Sequence, residues 1–258
     1  MEAIEHPSPL VHLINLLLGP LGIHVPDHMV FVALITLFIL FIGLAVRSQL
    51  SVDNPGKLQI VLEDIVSFLV GVLEGNMGAK GRQFLPLLGT IFVFILIGNL
   101  MGQIPGLGSP TSNINVPLAL AVTLWLYYHW QGLRSHGPVS YIKHFAVMPG
   151  VPIALAPMIF VIEIISHMSR VLSLTLRLFG NIFGEHLVVL IIASIVPFIA
   201  PLPIQFLGLI VGPLQAFIFL TLGAIYLTAA THVDDHHGHG DDMDFNDPAA
   251  HHPQPQTH

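Results

Sequence analysis

The run from Glu163 to Glu185, EIISHMSRVLSLTLRLFGNIFGE, constrains the chain more than any other stretch. It is apolar enough to lie in a membrane, yet it carries two arginines and two glutamates. As a helix it puts Glu163, Ser166, Arg170, Ser173, Arg177 and Asn181 on one face, because successive members lie three or four residues apart. At about 1.5 Å rise per residue its length is close to the thickness of a bilayer's hydrocarbon core. An arginine at that depth costs about 3 kcal/mol on insertion scales, so it persists only where it faces protein or water, usually for a function.

Composition points the same way. Hydrophobic residues make up 53% of the chain and charged residues 9%, far from the proportions of a soluble domain. The expected fold class is an all-α integral membrane protein. There is no cysteine, which excludes a disulfide framework, a thiol nucleophile and a cysteine-bound metal. No G-x-x-x-x-G-K-[ST] loop is present and the eight basic residues are scattered, so neither nucleotide nor nucleic acid is expected to bind directly, and no cofactor is expected.

Residues 1–28 hold short apolar runs broken by Pro7, Pro9, Pro20 and Pro26, with acidic but no basic residues. Without the basic region of a signal peptide or the arginines of a transit peptide, they are expected to form an external N-terminal segment. His6, His12, His24 and His28 are too widely spaced to argue a metal site. The membrane domain then covers 29–230. Its first crossing, 29–47, ends at Arg47, and all basic residues fall from Arg47 to Arg177, so the positive-inside rule puts the N-terminus outside and Arg47 in the cytoplasm.

Asp53-Asn54-Pro55-Gly56 reads as a turn. Over 57–75, Glu63, Asp64, Ser67, Gly71 and Glu74 collect on one side, which predicts an amphipathic helix at the cytoplasmic interface. Crossings are expected at 83–104 and 116–132, the latter closing on the aromatic belt of Trp125, Tyr127, Tyr128 and Trp130, with an outer loop over Gln103–Asn115. Two further helices, 157–195 and 204–230, are separated by a break at Pro197, Pro201 and Pro203. This gives about five membrane helices and one interfacial helix. On the last helix Gln205, Gly208, Gly212, Gln215, Gly223 and Tyr226 form a small and polar face that another backbone can approach closely; it is expected to meet the Arg177 face or share a partner with it. The tail, 231–258, carries seven histidines and six aspartates and so most of the net charge of −7. Its Gly and Pro residues interrupt any fixed ligand geometry, so a disordered, solvated segment is expected and no metal site.

Arginine keeps its proton at any accessible pH, so Arg177 suits a site where positive charge stays fixed while a proton or a carboxylate moves past. Glu163, the acidic residue on its own face, lies about 21 Å away along the helix, so its partner should come from elsewhere. The alternative is a static ion pair, or bonding to the carbonyls of a broken helix. A stand-alone channel or transporter, or a membrane scaffold, would carry such residues as well, although no internal repeat of the kind common in secondary transporters is found. Arg170, two turns inward, is positioned to snorkel or to pair with Glu163. His167, four residues after Glu163, is positioned to bond it or to shuttle protons.

SLTLRLFGNIFGEHLVVLI followed by PLQAFIFLTLGAIYLTAA resembles the signature region of subunit a of the F-type ATP synthase, and GTIFVFILIGNLMGQIPG and PTSNINVPLALAV resemble that family's earlier membrane segments. The likeness runs from about Phe84 to Ala230. It implies a stator subunit whose last two helices form a long tilted hairpin facing the rotor, a ring of c subunits. Two offset aqueous half-channels would carry protons to and from the c-ring carboxylate and couple ion flow to rotation and ATP synthesis, with no catalytic chemistry in the subunit alone. The implied partners are the c-ring, b-type peripheral stalk subunits, the remaining complex and the lipid bilayer. The implied location is the bacterial plasma (inner) membrane, multi-pass, with a cytoplasmic C-terminus.

Position by position, the resemblance makes Arg177 the essential arginine that faces the rotor carboxylate and separates the half-channels. Asn181 and Gln215 fall on polar positions along the path, and Glu163, with Ser166, on the inner access region. His186 occupies the position nine residues after the arginine, with Glu185 just before it. Gly208 departs from the pattern, since the family often has a titratable His or Glu there, and Asn113 stands where Asp is common. Glu185 and His186 are therefore expected to share the outer relay, with His186 pointing nearly opposite Arg177 at about 100° per residue. His167, Arg170 and Ser173 are secondary candidates.

Overall fold

The computed structural model describes residues 25–47, 50–51, 55–104, 107–137, 141, 155–196 and 199–231, together with 11–12 and 15–16. Among them the long elements are all helical: α1 Asp27–Arg47, α2 Lys57–Met77, α3 Leu85–Met101, α4 Asn115–His136, α5 Ala156–Ile195 and α6 Leu202–Thr231. Four stretches are long and apolar enough to cross a membrane, namely Asp27–Arg47, Lys57–Met101, Ala156–Ile195 and Leu202–Thr231. The chain is an all-α, multi-pass membrane protein. The tail beyond Thr231, His6 and His24, Asp53 and Asn54 of the expected turn, and Pro197 lie outside the described residues.

Local chemistry sets the helix ends. Asp27 in the first turn of α1 and Arg47 in its last turn each oppose the charge of the helix dipole. α2 stops at Gly78, whose φ of 65° favours glycine and lets its N–H bond the Glu74 carbonyl. α5 begins with Pro157 in its first turn, where the missing N–H leaves no bond unmade.

The expected amphipathic helix is present as α2, and it is folded back on α3 by a 3₁₀ segment, Gly78–Phe84. Phe68 consequently meets Phe92 of α3 and Phe217 of α6, at 6.4 and 6.1 Å between ring centres. Leu69, Leu73 and Met77 are buried in the bundle, while Glu63, Asp64, Ser67 and Gly71 are exposed. The segment after α3 departs from a plain outer loop. Ser109, Pro110 and Thr111 are buried, because it tucks a 3₁₀ turn, Pro110–Ser112, against the bundle.

α6 is the hub and touches α2, α3, α4 and α5. Its buried side, Ala216, Phe219, Leu220, Ala224 and Leu227, packs with Leu88 and Ile95 of α3, Leu124 and Tyr128 of α4, and Leu174 and Leu178 of α5. Small residues make these approaches possible. A Cβ added at Gly223 would lie 2.8 Å from the Leu88 side chain, and one at Gly212 would lie 3.2 Å from the Asn99 Cβ.

α5 has 40 residues, about 60 Å at 1.5 Å per residue, twice a hydrocarbon core of about 30 Å, so it must tilt steeply if it stays within the membrane. Leu174, Leu178 and Ile182, four residues apart, form its buried seam, while Leu172, Leu176 and Phe183 are exposed. The polar stripe runs along the edge of that seam. Gly223→Val should force α6 away from Leu88 and destabilise the bundle by about 1–3 kcal/mol, the usual cost of overpacking. A thermal-unfolding series in detergent checks this through a lower midpoint than wild type.

Candidate functional site

The polar residues of α5 separate into three groups along its length. Nearest its N-terminus, Glu163 Oε1 lies 3.3 Å from His167 Nε2. His167, 8% exposed, shares its Nδ1 with the Tyr128 hydroxyl of α4 at 2.7 Å. His129 Nδ1 pairs with the Tyr141 hydroxyl at 2.8 Å. Burial pushes the Tyr141 phenol up to about 12, so it stays protonated and available as a donor. Arg170, expected to snorkel or to pair with Glu163, forms no ion pair with it. Its guanidinium lies 5.0 Å from the centre of the Tyr226 ring of α6, a cation–π contact, because α6 presents an aromatic face there. Ser166 is half-buried and its carbonyl accepts from Ser169 Oγ at 2.8 Å.

In the middle stands Arg177. It is exposed, and its Nη2 donates to Ser173 Oγ one turn back at 3.3 Å. The ion pairs among the described residues, Arg82 with Glu74 and His167 with Glu163, do not involve it.

Toward the C-terminal half, α5 and α6 are joined by polar contacts. Asn181 Nδ2 donates to Gln215 Oε1 at 2.9 Å. Gln215 is 2% exposed, and its Nε2 is buried with no acceptor among the described residues, an arrangement that costs about 1–3 kcal/mol. A cleft of about 340 Å³ opens beside this pair, lined by Asn181, Gly184, Glu185 and Val188 of α5 and Ile204, Leu207, Gly208 and Val211 of α6. Gln103, just past α3, donates its Nε2 to Glu185 Oε1 at 2.8 Å. A Cβ built on Gly208 would fall inside the Glu185 carboxylate. The absent side chain on α6 is thus the space that the α5 carboxylate fills. His186 Nε2 lies 3.3 Å from where a Gly102 Cβ would stand, next to the Gln103 that bonds Glu185.

A buried network fixes the backbone beneath this cleft. Thr111 Oγ1 donates to Asn99 Oδ1 at 2.8 Å, Asn99 Nδ2 donates to the Gly212 carbonyl at 3.2 Å, and Ser109 Oγ donates to the Gly98 carbonyl at 2.9 Å. Asn113 has a local role, its Oδ1 accepting the Asn115 N–H at 3.1 Å where α4 starts. Among the described residues no group of three or more His, Asp or Glu is gathered as metal ligands would be.

The family profile for the ATP synthase A chain matches residues 28–228. The chain belongs to the ATP synthase subunit a family. ATP synthase subunit a of Geotalea daltonii is 43% identical over 224 residues, 86% of this chain and 96% of that one. ATP synthase subunit a of Nitratidesulfovibrio vulgaris is 44% identical over 231 residues, 88% and 96% of the two chains. That of a Sulfurihydrogenibium species is 40% identical over 181 residues, 70% and 86%.

Within this subunit a family member, the sequence offered Glu185 and His186 in place of a titratable group at Gly208, and the structure puts the Glu185 carboxylate against Gly208 itself. Gln103, Tyr128 and His129 were not singled out as site residues. Gln103 lies in the quoted GNLMGQIPG segment, where a glutamine at the end of an apolar helix was the available signal. A chain without cysteine gives no background for crosslinking. Paired cysteines at 181 and 215, and at 103 and 185, should join readily through a short thiol-specific crosslinker, whereas a pair at 173 and 186, on opposing sides of α5, should not. Gel mobility of the treated protein reads the outcome.

Proposed function

We propose that this subunit carries protons between two offset aqueous half-channels and a carboxylate on the c-ring, coupling ion flow to rotation and ATP synthesis. The observation that carries this reading is the position of Arg177. It is an exposed, permanently charged group on a largely apolar helix, outside every ion pair of the described residues, and it stands between Glu163 and Glu185, about 21 Å and about 12 Å away along the helix. A guanidinium so placed calls for an anion from another subunit, and a rotor carboxylate passing along the exposed side of α5 meets that need.

A proton enters from outside through the cleft beside Glu185, Asn181 and Gln215, with His186 serving the channel behind the helix. Glu185 takes the relay role on α5, using the volume that Gly208 leaves on α6 and the Gln103 amide as its donor. The proton neutralises a rotor carboxylate, which can then turn into lipid. A returning protonated carboxylate reaches the inner cluster at Glu163 and Ser166, gives up its proton there, and passes Arg177 as an anion. Fixed positive charge at Arg177 blocks a proton from crossing directly between the channels. Each proton that crosses 100 mV releases about 2.3 kcal/mol, so one ATP requires several such transfers.

In this reading the N-terminus faces outward, α2 lies at the cytoplasmic interface, the C-terminus is cytoplasmic, and b-type stalk subunits hold the protein against the rotor in the bacterial plasma membrane. Arg177→Gln should abolish proton-driven ATP synthesis in vesicles while the complex still assembles with its c-ring; normal synthesis in that variant would sink the proposal. Gly208→Ala should displace the Glu185 carboxylate and slow proton-driven synthesis by about a hundredfold, the low end of what losing a proton-transfer group costs. Moving the carboxylate to α6, as Glu185→Gly with Gly208→Glu, should restore part of the rate. A Gly208→Ala rate equal to wild type would remove Glu185 from the path.

A further inference from the structure

Arg170 and Arg177 stand seven residues apart on α5, two turns, which puts them on one face and about 10 Å apart along the axis. By position alone, either cation could meet an anion travelling along that face. The structure treats them differently. Arg177 is exposed and donates to the neutral Ser173 hydroxyl at 3.3 Å. Arg170 is half-buried, and its guanidinium lies 5.0 Å from the centre of the Tyr226 ring.

Helix register accounts for the difference. Asn181 meets Gln215 and Arg170 meets Tyr226, so eleven residues back along α5 correspond to eleven forward along α6, and the two helices run antiparallel. Arg177 is then level with Phe219, seven residues before Tyr226. α6 thus sets an aromatic residue opposite each arginine. Phe219 is 0% exposed and belongs to the core, where its ring is spent on packing. Tyr226 is half-buried and turns its face to Arg170. A ring face attracts a guanidinium, the more so where water is partly excluded. The Tyr128 hydroxyl, a further neighbour of Arg170, is neutral and shares Nδ1 of His167 at 2.7 Å, while Glu163 faces His167 Nε2. Both guanidinium charges are permanent, so the choice between the two arginines is one of position.

We propose that Tyr226 is a positioning residue that withholds Arg170 and leaves Arg177 as the single cation a rotor carboxylate meets, an inference that rests on Arg177 having that role. A second free guanidinium about 10 Å farther along the same face would capture the carboxylate as it leaves Arg177 and delay the rotor at every step.

The test is ATP synthesis in vesicles bearing the whole complex, driven by a fixed gradient. Tyr226→Leu should slow it about tenfold, the factor equivalent to a partly desolvated cation–π contact. Tyr226→Phe keeps the ring and should keep most of the rate. Introduced into Arg170→Gln, Tyr226→Leu should cost little further, because no cation remains to be released. Labelling with phenylglyoxal, an arginine-selective reagent, should rise at Arg170 in Tyr226→Leu and not in Tyr226→Phe, as mass spectrometry of the peptides reads. Equal losses with and without Arg170 would overturn the inference, since lost packing behaves that way, and so would a wild-type rate in Tyr226→Leu or unchanged labelling of Arg170. If Tyr226→Leu fails to assemble, Tyr226→Met makes the same comparison. Arg177→Gln separates the two levels. Normal synthesis in that variant removes the rotor-facing role of Arg177 and this inference with it, whereas an inactive Arg177→Gln beside equal Tyr226→Leu losses in both backgrounds overturns this inference alone.

Discussion

A guanidinium that cannot lose its proton, set on a long apolar helix, must be met by an anion or by water. Arg177 reaches Ser173 within its own helix, and its charge stays outside the ion pairs of the described residues. A neutral hydroxyl does not cancel a charge in a low-dielectric setting. The seam of Leu174, Leu178 and Ile182 anchors α5 on one side only and leaves the arginine outside the bundle. Under the proposed function, the missing anion arrives with the rotor, one subunit at a time.

The packing of α6 makes the rest possible. Glycines at 212 and 223 let α3 come close enough for the Asn99 amide to reach a backbone carbonyl and for Leu88 to fill the space of a side chain. Gly208 applies the same device to a polar end: its missing side chain admits the Glu185 carboxylate from α5. A titratable group can thus stand at the meeting of the two helices whichever of them supplies it. Under the proposed function, proton transfer at this place depends on where the oxygen atoms lie, and the helix of origin matters less.

The helical membrane fold was legible from residue patterns, because apolar runs of membrane length leave little choice and Pro and Gly mark their ends. The 3₁₀ reversal at Gly78–Phe84 and the tucked turn at Pro110–Ser112 were not, since both depend on contacts with distant helices. Among site residues, the polar stripe of α5 followed from helical spacing. Arg170 was harder, because its choice of the Tyr226 ring over Glu163 is made by a helix more than fifty residues on in sequence. Gly208 first read as the loss of a relay group. Only the three-dimensional packing reveals it as room for Glu185, and only packing joins Tyr128 to His167.

Passive proton conductance tests the central claim, that Arg177 is a charge barrier between two aqueous paths, most directly. Vesicles carrying the complex, with rotation blocked so that the rotor cannot ferry protons, should hold an imposed pH gradient when Arg177 is present and lose it faster in Arg177→Ala. A gradient that decays equally slowly in both would contradict the account, because the arginine would then not be what keeps the two paths apart.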